Sequence, residues 1–307
     1  MPTEWFSKST LRLCGTLCLM AFSATAAALS VTDDLGNTVN LKVPARRIIS
    51  LAPHVTELLF AAGAGSQIVA TVKYSDYPEA AKAIPRIGDL RQIDMERVLA
   101  LKPDLLVVWT HGAFDRQMQA LREAGIPLFF SEPQRLEQIP DTLIKLGRLS
   151  GTETTAQAAA ADFRSQLQAL KVKYAQTKPP SAPLKIFYQV WAKPLYTLND
   201  SHIASDAMRL CGAENVFGRL PAIAPLVDVE AVLKSNPDLI IDAESTSQHN
   251  NGLQQWKAFP SLAANKNQHL VTLDGDLLNR PGPRILAGAR AICEVLEHIR
   301  HPLAGVK

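Results

Sequence analysis

The stretch DMERVLALKPDLLV, residues 94–107, returns 134 residues later as DVEAVLKSNPDLII, residues 228–241. Seven of the fourteen aligned positions are identical. In each copy an Asp opens a short helix, a Pro-Asp pair follows its end, and an unbroken apolar run then predicts a strand buried on both faces. The repeat therefore predicts two α/β lobes of related design. A cleft between two lobes is a usual place for a small ligand.

Strand and helix patterns alternate through the first half of the chain. Strands are predicted at 47–51, 67–71, 105–109 and 127–130, and helices at 56–62 and 115–124. This alternation predicts parallel, doubly wound, Rossmann-like sheets. Ligands of such open sheets bind beyond the carboxyl ends of the strands.

The segment from Thr152 to Gln176 contains neither Gly nor Pro and is rich in Ala, Gln, Leu and Lys. It predicts one helix about 35 Å long, which would join the lobes as a stiff connection with only small hinge motions. We therefore expect an N-terminal lobe over 29–151, a backbone helix over 152–178 and a C-terminal lobe over 179–307. The fold class is α/β, with two Rossmann-like lobes on one long helix.

Residues 1–28 have the pattern of a cleavable signal peptide. Lys8 and Arg12 precede an apolar run at 13–22, and small residues at 23–28 offer cleavage after Ala26 or Ala28. The apolar run is shorter than the roughly 18 residues that a membrane anchor needs. The mature chain is therefore expected to be exported and soluble.

Charge and cysteine content narrow the class of protein further. Without residues 1–28 the chain keeps 30 basic and 28 acidic residues, and these are interspersed, so no nucleic-acid partner is expected. Only Cys211 and Cys293 remain. In an oxidising compartment they are a disulfide candidate that would stabilise the second lobe by about 4 kcal/mol, and the alternative is two buried thiols.

Aromatic and polar side chains collect where predicted strands end. A flat amide-bearing ligand would be held by such planar walls with a few polar groups at the rim. For each aromatic residue taken alone, packing in the core is the alternative. The candidates are Tyr74, Tyr77 and Trp109 in the first lobe, with Tyr188, Trp191, Tyr196, Asp276, Asn279 and Arg280 in the second.

The histidines His54, His111, His202 and His249 lie in different segments of the chain. No H-E-x-x-H spacing is present, so a metal site built from protein ligands is disfavoured. His54, in the first strand-to-helix turn, is expected to line the cleft.

Several strings together resemble one known family. They are RIISLAP at 47–53 followed by Thr56-Glu57, YSDYP at 74–78, the two Glu-containing repeats, CGAENVF at 211–217 and RPGPR at 280–284. The mature chain resembles the periplasmic cobalamin-binding proteins of ABC importers, which belong to the helix-backbone (class III) substrate-binding proteins. The resemblance implies a monomer that catalyses nothing, has no resident cofactor, and delivers cobalamin or a related corrinoid to a permease dimer. The alternative within the same fold is a receptor for a ferric siderophore or haem.

The resemblance also implies roles for particular residues. Tyr74, Trp109, Tyr196, Asp276 and Arg280 match positions that contact the corrinoid, and Cys211 with Cys293 matches the family disulfide. By their location His54, Trp191 and Asn279 complete the expected ligand set. Leu90 and Ala224 stand where the family has tryptophan, which predicts a remodelled wall.

Glu96 and Glu230 occupy the same place in the two repeats. One interpretation is that each interacts favourably with the positive end of its helix dipole, worth about 0.3–1 kcal/mol. The resemblance implies instead that each forms a salt bridge with permease arginines, one on each lobe. We favour docking.

A secreted enzyme is the hypothesis from another class. It is disfavoured because the chain has no G-x-S-x-G elbow, no P-loop and no G-x-G-x-x-G after a strand.

Overall fold

The computed structural model describes residue 1 and residues 29–110, 115–175, 183–244 and 252–301. The strands in this part are β1 (Leu29–Thr32), β2 (Thr38–Leu41), β3 (Ile48–Ser50), β4 (Ile68–Thr71), β5 (Leu105–Trp109), β6 (Leu128–Ser131), β7 (Leu184–Gln189), β8 (Trp191–Ala192), β9 (Leu195–Tyr196), β10 (Ala213–Asn215), β11 (Leu239–Glu244) and β12 (Leu270–Asp274). The α-helices are α1 (Pro53–Ala61), α2 (Met95–Ala100), α3 (Asp115–Glu123), α4 (Ile139–Ser150), α5 (Glu153–Ala175), α6 (Ile203–Leu210), α7 (Val229–Ser235), α8 (Ala263–Lys266), α9 (Gly275–Leu278) and α10 (Ile285–Arg300).

Within these ranges two four-stranded sheets form the centres of the two lobes. Their strand orders are β4-β3-β5-β6 and β10-β7-β11-β12, and neighbouring strands in both are parallel. The first four residues of β5 are fully buried, as a strand covered by helices on both faces requires. The predicted α/β class with parallel sheets is thus confirmed.

Two antiparallel hairpins, β1–β2 and β8–β9, were not predicted. The first turns at Gly36, whose φ of 84° lies in the left-handed region that glycine adopts readily. Strand β2 alternates exposed and buried residues, which is typical of a sheet with one face on the core.

Local signals explain several helix boundaries. Helix α1 begins at Pro53, three residues earlier than predicted, because the fixed φ of proline suits the first helical position. Gly151 directly follows the end of α4 and Asn236 the end of α7, and both of these capping residues have a left-handed backbone. Pro53 and His54 therefore belong to the helix, whereas His54 was expected in the turn before it.

Helix α5 lies close to its expected position and is tied to both lobes. Its stripe of Ala156, Ala160, Phe163, Leu167 and Leu170 is buried in a core shared with α4 and α10. Gly147 of α4 permits the closest approach, because a Cβ added there would lie 2.2 Å from the Cβ of Ala156. The predicted domain boundaries at 151/152 and 178/179 stay a prediction, and the second lies outside the described residues.

The predicted disulfide is present in the C-terminal lobe. Cys211, at the end of α6, bonds to Cys293 in α10 with an S–S distance of 2.01 Å. Arg300 reinforces the junction by donating at 2.8 Å to the carbonyls of Cys211 and Gly212. Helices α6 and α10 are therefore held together covalently and by hydrogen bonds.

The predicted signal peptide, apart from Met1, lies outside the described residues. Among the helices that are described, none combines the length and the apolar character that crossing a membrane requires.

We expect Gly147→Val to lower the free energy of unfolding by about 2 kcal/mol or more, because the new side chain would overlap Ala156. Urea unfolding followed by circular dichroism measures this. The matched control Gln157→Val adds the same side chain at an exposed position of α5 and should cost less than about 1 kcal/mol. Equal unfolding midpoints for the two variants would contradict the close packing of α4 on α5.

Candidate functional site

The carboxyl ends of the two parallel sheets face a common boundary between the lobes. Helix α1 follows β3 in the first lobe, and the loop 279–284 follows α9 in the second. A Cβ added at Gly282 would lie 3.6 Å from the carbonyl oxygen of His54. The second lobe therefore contacts the start of α1 directly.

Glu57 of α1 joins the two lobes through ion pairs. Its side chain is 3% exposed and accepts two hydrogen bonds from Arg284, at 2.9 Å from Nε and 2.6 Å from Nη2. Arg280 donates from Nη1 to the same carboxylate at 3.1 Å. Two arginines of the second lobe thus neutralise one buried carboxylate of the first.

Arg280 binds two further carboxylates. Nη1 also donates to Asp76 at 3.0 Å, and Nη2 lies 2.9 Å from Asp276. The guanidinium of Arg280 therefore contacts three acids at once, two from the first lobe and one from its own.

Arg284 has a second partner in the first lobe. Its guanidinium carbon lies 4.0 Å from the centre of the Tyr77 ring, a cation–π contact. Burial by itself would lower the pKa of Arg284, but the hydrogen bond and charge of Glu57 outweigh burial and raise it. Arg284 is therefore a permanent cation.

His54 and Trp109 form the first-lobe part of the boundary. Their rings meet edge to face with centroids 5.7 Å apart. His54 is 3% exposed, and its Nε2 has no hydrogen-bond partner among the described residues. Burial, with the nearby His202 and Arg280, lowers the pKa of His54 to about 3, so the imidazole is neutral.

The predicted first-lobe aromatic residues differ in exposure. Tyr74 is exposed and has a φ of 65°, an uncommon backbone for a tyrosine that is frequent at functional sites. Tyr77 is also exposed and Trp109 is half-buried. The structure thus brings Trp109 and His54 together and places Tyr74 two residues from Asp76, the acid that pairs with Arg280.

In the second lobe, Trp191 and Tyr196 are paired across the β8–β9 hairpin and keep partly exposed rings. Trp191 donates its indole N–H to the carbonyl of Lys193 at 2.8 Å. Tyr188 differs from the expectation, because it lies within β7 and is fully buried rather than facing a cleft.

Asn279 is near Arg280 but its amide is used within its own lobe. Its Oδ1 accepts from the hydroxyl of Tyr188 at 2.7 Å, and its Nδ2 donates to the carbonyl of Ala243 at 3.2 Å. Because the amide is used in these bonds, they favour a role for Asn279 in anchoring the loop rather than the expected contact with the ligand. Burial, with Asp242 and Asp274, raises the pKa of Tyr188 well above its usual value, so it remains a donor to Asn279.

Leu90 and Ala224, which stand where the family has tryptophan, lie in loops. Leu90 is half-buried against the first-lobe core, and Ala224 is exposed two residues before Leu226, which pairs with Tyr196. Neither side chain supplies a planar ring.

Glu96 and Glu230 lie in the first turns of α2 and α7 and are exposed. The preceding Asp94 and Asp228 cap these helices by accepting from backbone N–H groups at 3.0 and 2.6 Å. Because the caps are already occupied by the Asp residues, the Glu carboxylates remain directed to solvent.

Sequence reasoning missed the roles of Glu57 and Arg284. Both stand in the quoted motifs, and the signal was the pair of arginines four apart in RPGPR. It also missed Glu132, a buried acid after β6 that accepts from the hydroxyl of Thr110 after β5.

The remaining histidines give no indication of a metal site. His202 caps α6 by accepting from the N–H of Ala204 at 3.2 Å, while His111 and His249 lie outside the described residues. Among the residues the structure describes, no group of three or more His, Cys, Asp or Glu side chains is placed to hold a metal ion.

Comparison with known proteins gives matches over most of the chain. The family model described as periplasmic binding protein matches residues 48–277. The vitamin B12-binding protein of Vibrio cholerae serotype O1 is 37% identical over 254 residues, which cover 83% of this chain and 90% of that protein.

Two solved structures have a similar fold. The crystal structure of the periplasmic vitamin B12-binding protein BtuF of Vibrio cholerae superposes with a TM-score of 0.76 at 37% identity, covering 84% of this chain and 99% of that one. A possible iron-binding periplasmic protein of Staphylococcus epidermidis gives a TM-score of 0.67 at 26% identity, with coverages of 83% and 99%.

The buried His54 predicts a pH dependence of stability. The unfolded chain has the ordinary pKa of 6.5 and the folded chain about 3, so stability is full above pH 6.5 and falls as the pH drops toward 3. Between pH 7 and pH 5 the wild type should therefore lose about 2 kcal/mol of unfolding free energy through this group.

Urea unfolding at both pH values tests this, with His54→Asn expected to lack that loss. The control His298→Asn, at an exposed histidine, should keep it. An identical pH dependence in wild type and His54→Asn would contradict the neutral buried imidazole.

Proposed function

The chain belongs to the periplasmic binding protein family, and we propose that it captures cobalamin, or a related corrinoid, between its lobes and delivers it to an ABC importer permease. On this proposal the protein acts in the periplasm as a monomer, performs no chemistry, and carries cobalamin as its transported ligand rather than as a resident cofactor. The sequence of residues 1–28 supports export.

One observation carries the proposal. Candidate ligand residues that the resemblance assigns lie at the boundary between the lobes: Arg280 pairs with Asp276 of its own lobe and reaches Asp76 and Glu57 of the first. His54 and Trp109 lie beside them. A boundary with an aromatic ring, a neutral imidazole and a guanidinium suits a large neutral ligand that carries many amides.

The alternative is a receptor for a ferric siderophore or haem in the same fold, and the iron-binding description of the Staphylococcus epidermidis neighbour supports it. Anionic iron chelates favour uncompensated basic clusters. Within the described part of the chain, Arg280 and Arg284 contact three carboxylates, so these five groups sum to one negative charge. That charge balance favours a neutral ligand.

Calorimetric titration of the refolded mature protein with cyanocobalamin tests the function, with haem and a ferric siderophore as parallel ligands. We expect saturable one-to-one binding of cobalamin alone. Trp109→Ala should weaken it by about 1–3 kcal/mol, because a stacking surface is lost. Heat with an iron chelate and none with cobalamin would reject the corrinoid assignment and support the alternative.

Docking on the permease is proposed to use Glu96 and Glu230. Each lies at the start of the equivalent short helix of its lobe and is exposed, so the two lobes would offer matching carboxylates to a two-fold symmetric partner. Exposed charge pairs of this kind set orientation and association rate more than affinity.

The double variant Glu96→Ala/Glu230→Ala should bind ligand like the wild type and support several-fold slower uptake in cells that lack the chromosomal copy. The control Glu123→Ala/Glu214→Ala removes one exposed carboxylate from each lobe elsewhere and should leave uptake unchanged. Wild-type uptake by the Glu96/Glu230 variant would remove the docking assignment.

A further inference from the structure

The three acids around Arg280 are not equivalent. Glu57 is 3% exposed and is also held by Arg284 in a bidentate pair. Asp276 is 14% exposed and lies in α9, four residues before Arg280. Asp76 is 45% exposed and, among the residues that the structure describes, forms its ion pair with Nη1 of Arg280.

Charge also distinguishes them. Of the groups that the structure describes here, two guanidinium groups face three carboxylates, which together sum to one negative charge. Removing one partner from a buried, hydrogen-bonded pair leaves an unpaired charge in the interior and is strongly destabilising. An ion pair that water reaches is screened by solvent and contributes little. The contact with Asp76 is therefore the weakest of the three.

From this order we propose that Glu57 and Arg284 are positioning residues that pin the lobes and hold Arg280 in place, while Asp76 occupies the position on Nη1 that a ligand oxygen takes. The inference rests on the proposed function, because it names the ligand class as one that presents an uncharged carbonyl or amide oxygen. Such an oxygen replaces Asp76 without disturbing the pair beneath it.

The geometry of the Glu57–Arg284 ion pair supports its role in holding the lobes together. Arg284 uses two nitrogen atoms on the two oxygens of Glu57 and stacks on Tyr77, so its guanidinium is fixed in position and in plane. Arg280 shares Oε1 of Glu57 with Arg284. Movement of Glu57 would therefore displace both arginines together.

The two roles predict opposite effects of neutralising neighbouring acids. Asp76→Asn should tighten cyanocobalamin binding about two- to five-fold, because a competitor for Nη1 is weakened. Glu57→Gln should weaken it by about 30-fold or more, because the arginines lose their buried partner. Added salt should tighten binding to the wild type and have little effect on Asp76→Asn.

The control is Asp141→Asn, which neutralises an acid in an exposed ion pair with Arg164 away from the boundary and should change neither affinity nor salt dependence. Shifts of the same sign for Asp76→Asn and Glu57→Gln, or no shift for either, would overturn the proposal.

A measurement without ligand tests the positioning role of Glu57 independently of the proposed function. Spin labels on cysteines introduced at the exposed positions Gln119 and Lys257, one in each lobe, report the distance between lobes by electron–electron double resonance. We expect a narrow distribution for the wild type and Asp76→Asn, and a broader one for Glu57→Gln. A narrow distribution in Glu57→Gln would overturn the claim that Glu57 holds the lobes together. Failure of every ligand to bind would overturn the proposed function and the role of Asp76, while the spin-label distances would still test the role of Glu57.

Discussion

A buried carboxylate on α1 is the constraint on which the arrangement of the two lobes depends. Glu57 has almost no contact with solvent, and the charges that compensate it come from residues more than 220 positions later in the chain. An unpaired charge at that depth would be strongly destabilising, because burial removes it from water. The loop 280–284 therefore stays in contact with α1, where Arg280 and Arg284 pair with Glu57. This contact holds the carboxyl ends of the two sheets at a common boundary.

The core of each lobe contains one copy of the repeated unit, residues 94–107 in the first lobe and 228–241 in the second. In both, an Asp caps a short helix, a turn leads to Pro-Asp, and a buried strand enters the centre of a parallel sheet. Strands β5 and β11 are interior in their sheets, so the repeat fixes the core and places its exposed acid at the same point of both lobes. The disulfide between α6 and α10 then stiffens only the second lobe.

Local patterns were sufficient for much of this structure. Continuous apolar runs predicted the central strands, and the absence of Gly and Pro predicted α5. The resemblance supported the disulfide pairing. Pairings between distant residues were beyond such patterns, because no local period relates Glu57 to Arg284. The β8–β9 hairpin has strands of two residues, too short to show alternation. Tyr188 was misplaced because β7 continues to Gln189 and keeps it in the core. Among the candidate site residues, Asp276 and Arg280 were found from their place after a strand, while the roles of Glu57 and Asp76, the first-lobe acids that contact Arg280, were not.

The packing of α5 has a consequence for how occupancy is signalled. The helix shares its buried stripe with α4 of one lobe and contacts α10 of the other, so bending it would expose apolar surface on both sides. With so stiff a connection the angle between the lobes changes little on ligand binding, whereas a hinge made of loops allows a large change. In the proposed role, Glu96 and Glu230 would then keep a nearly constant spacing whether the cleft is full or empty. The permease would then detect bound ligand through contacts at the rim of the cleft. A ligand-free receptor would compete with a ligand-bound one for the same docking site.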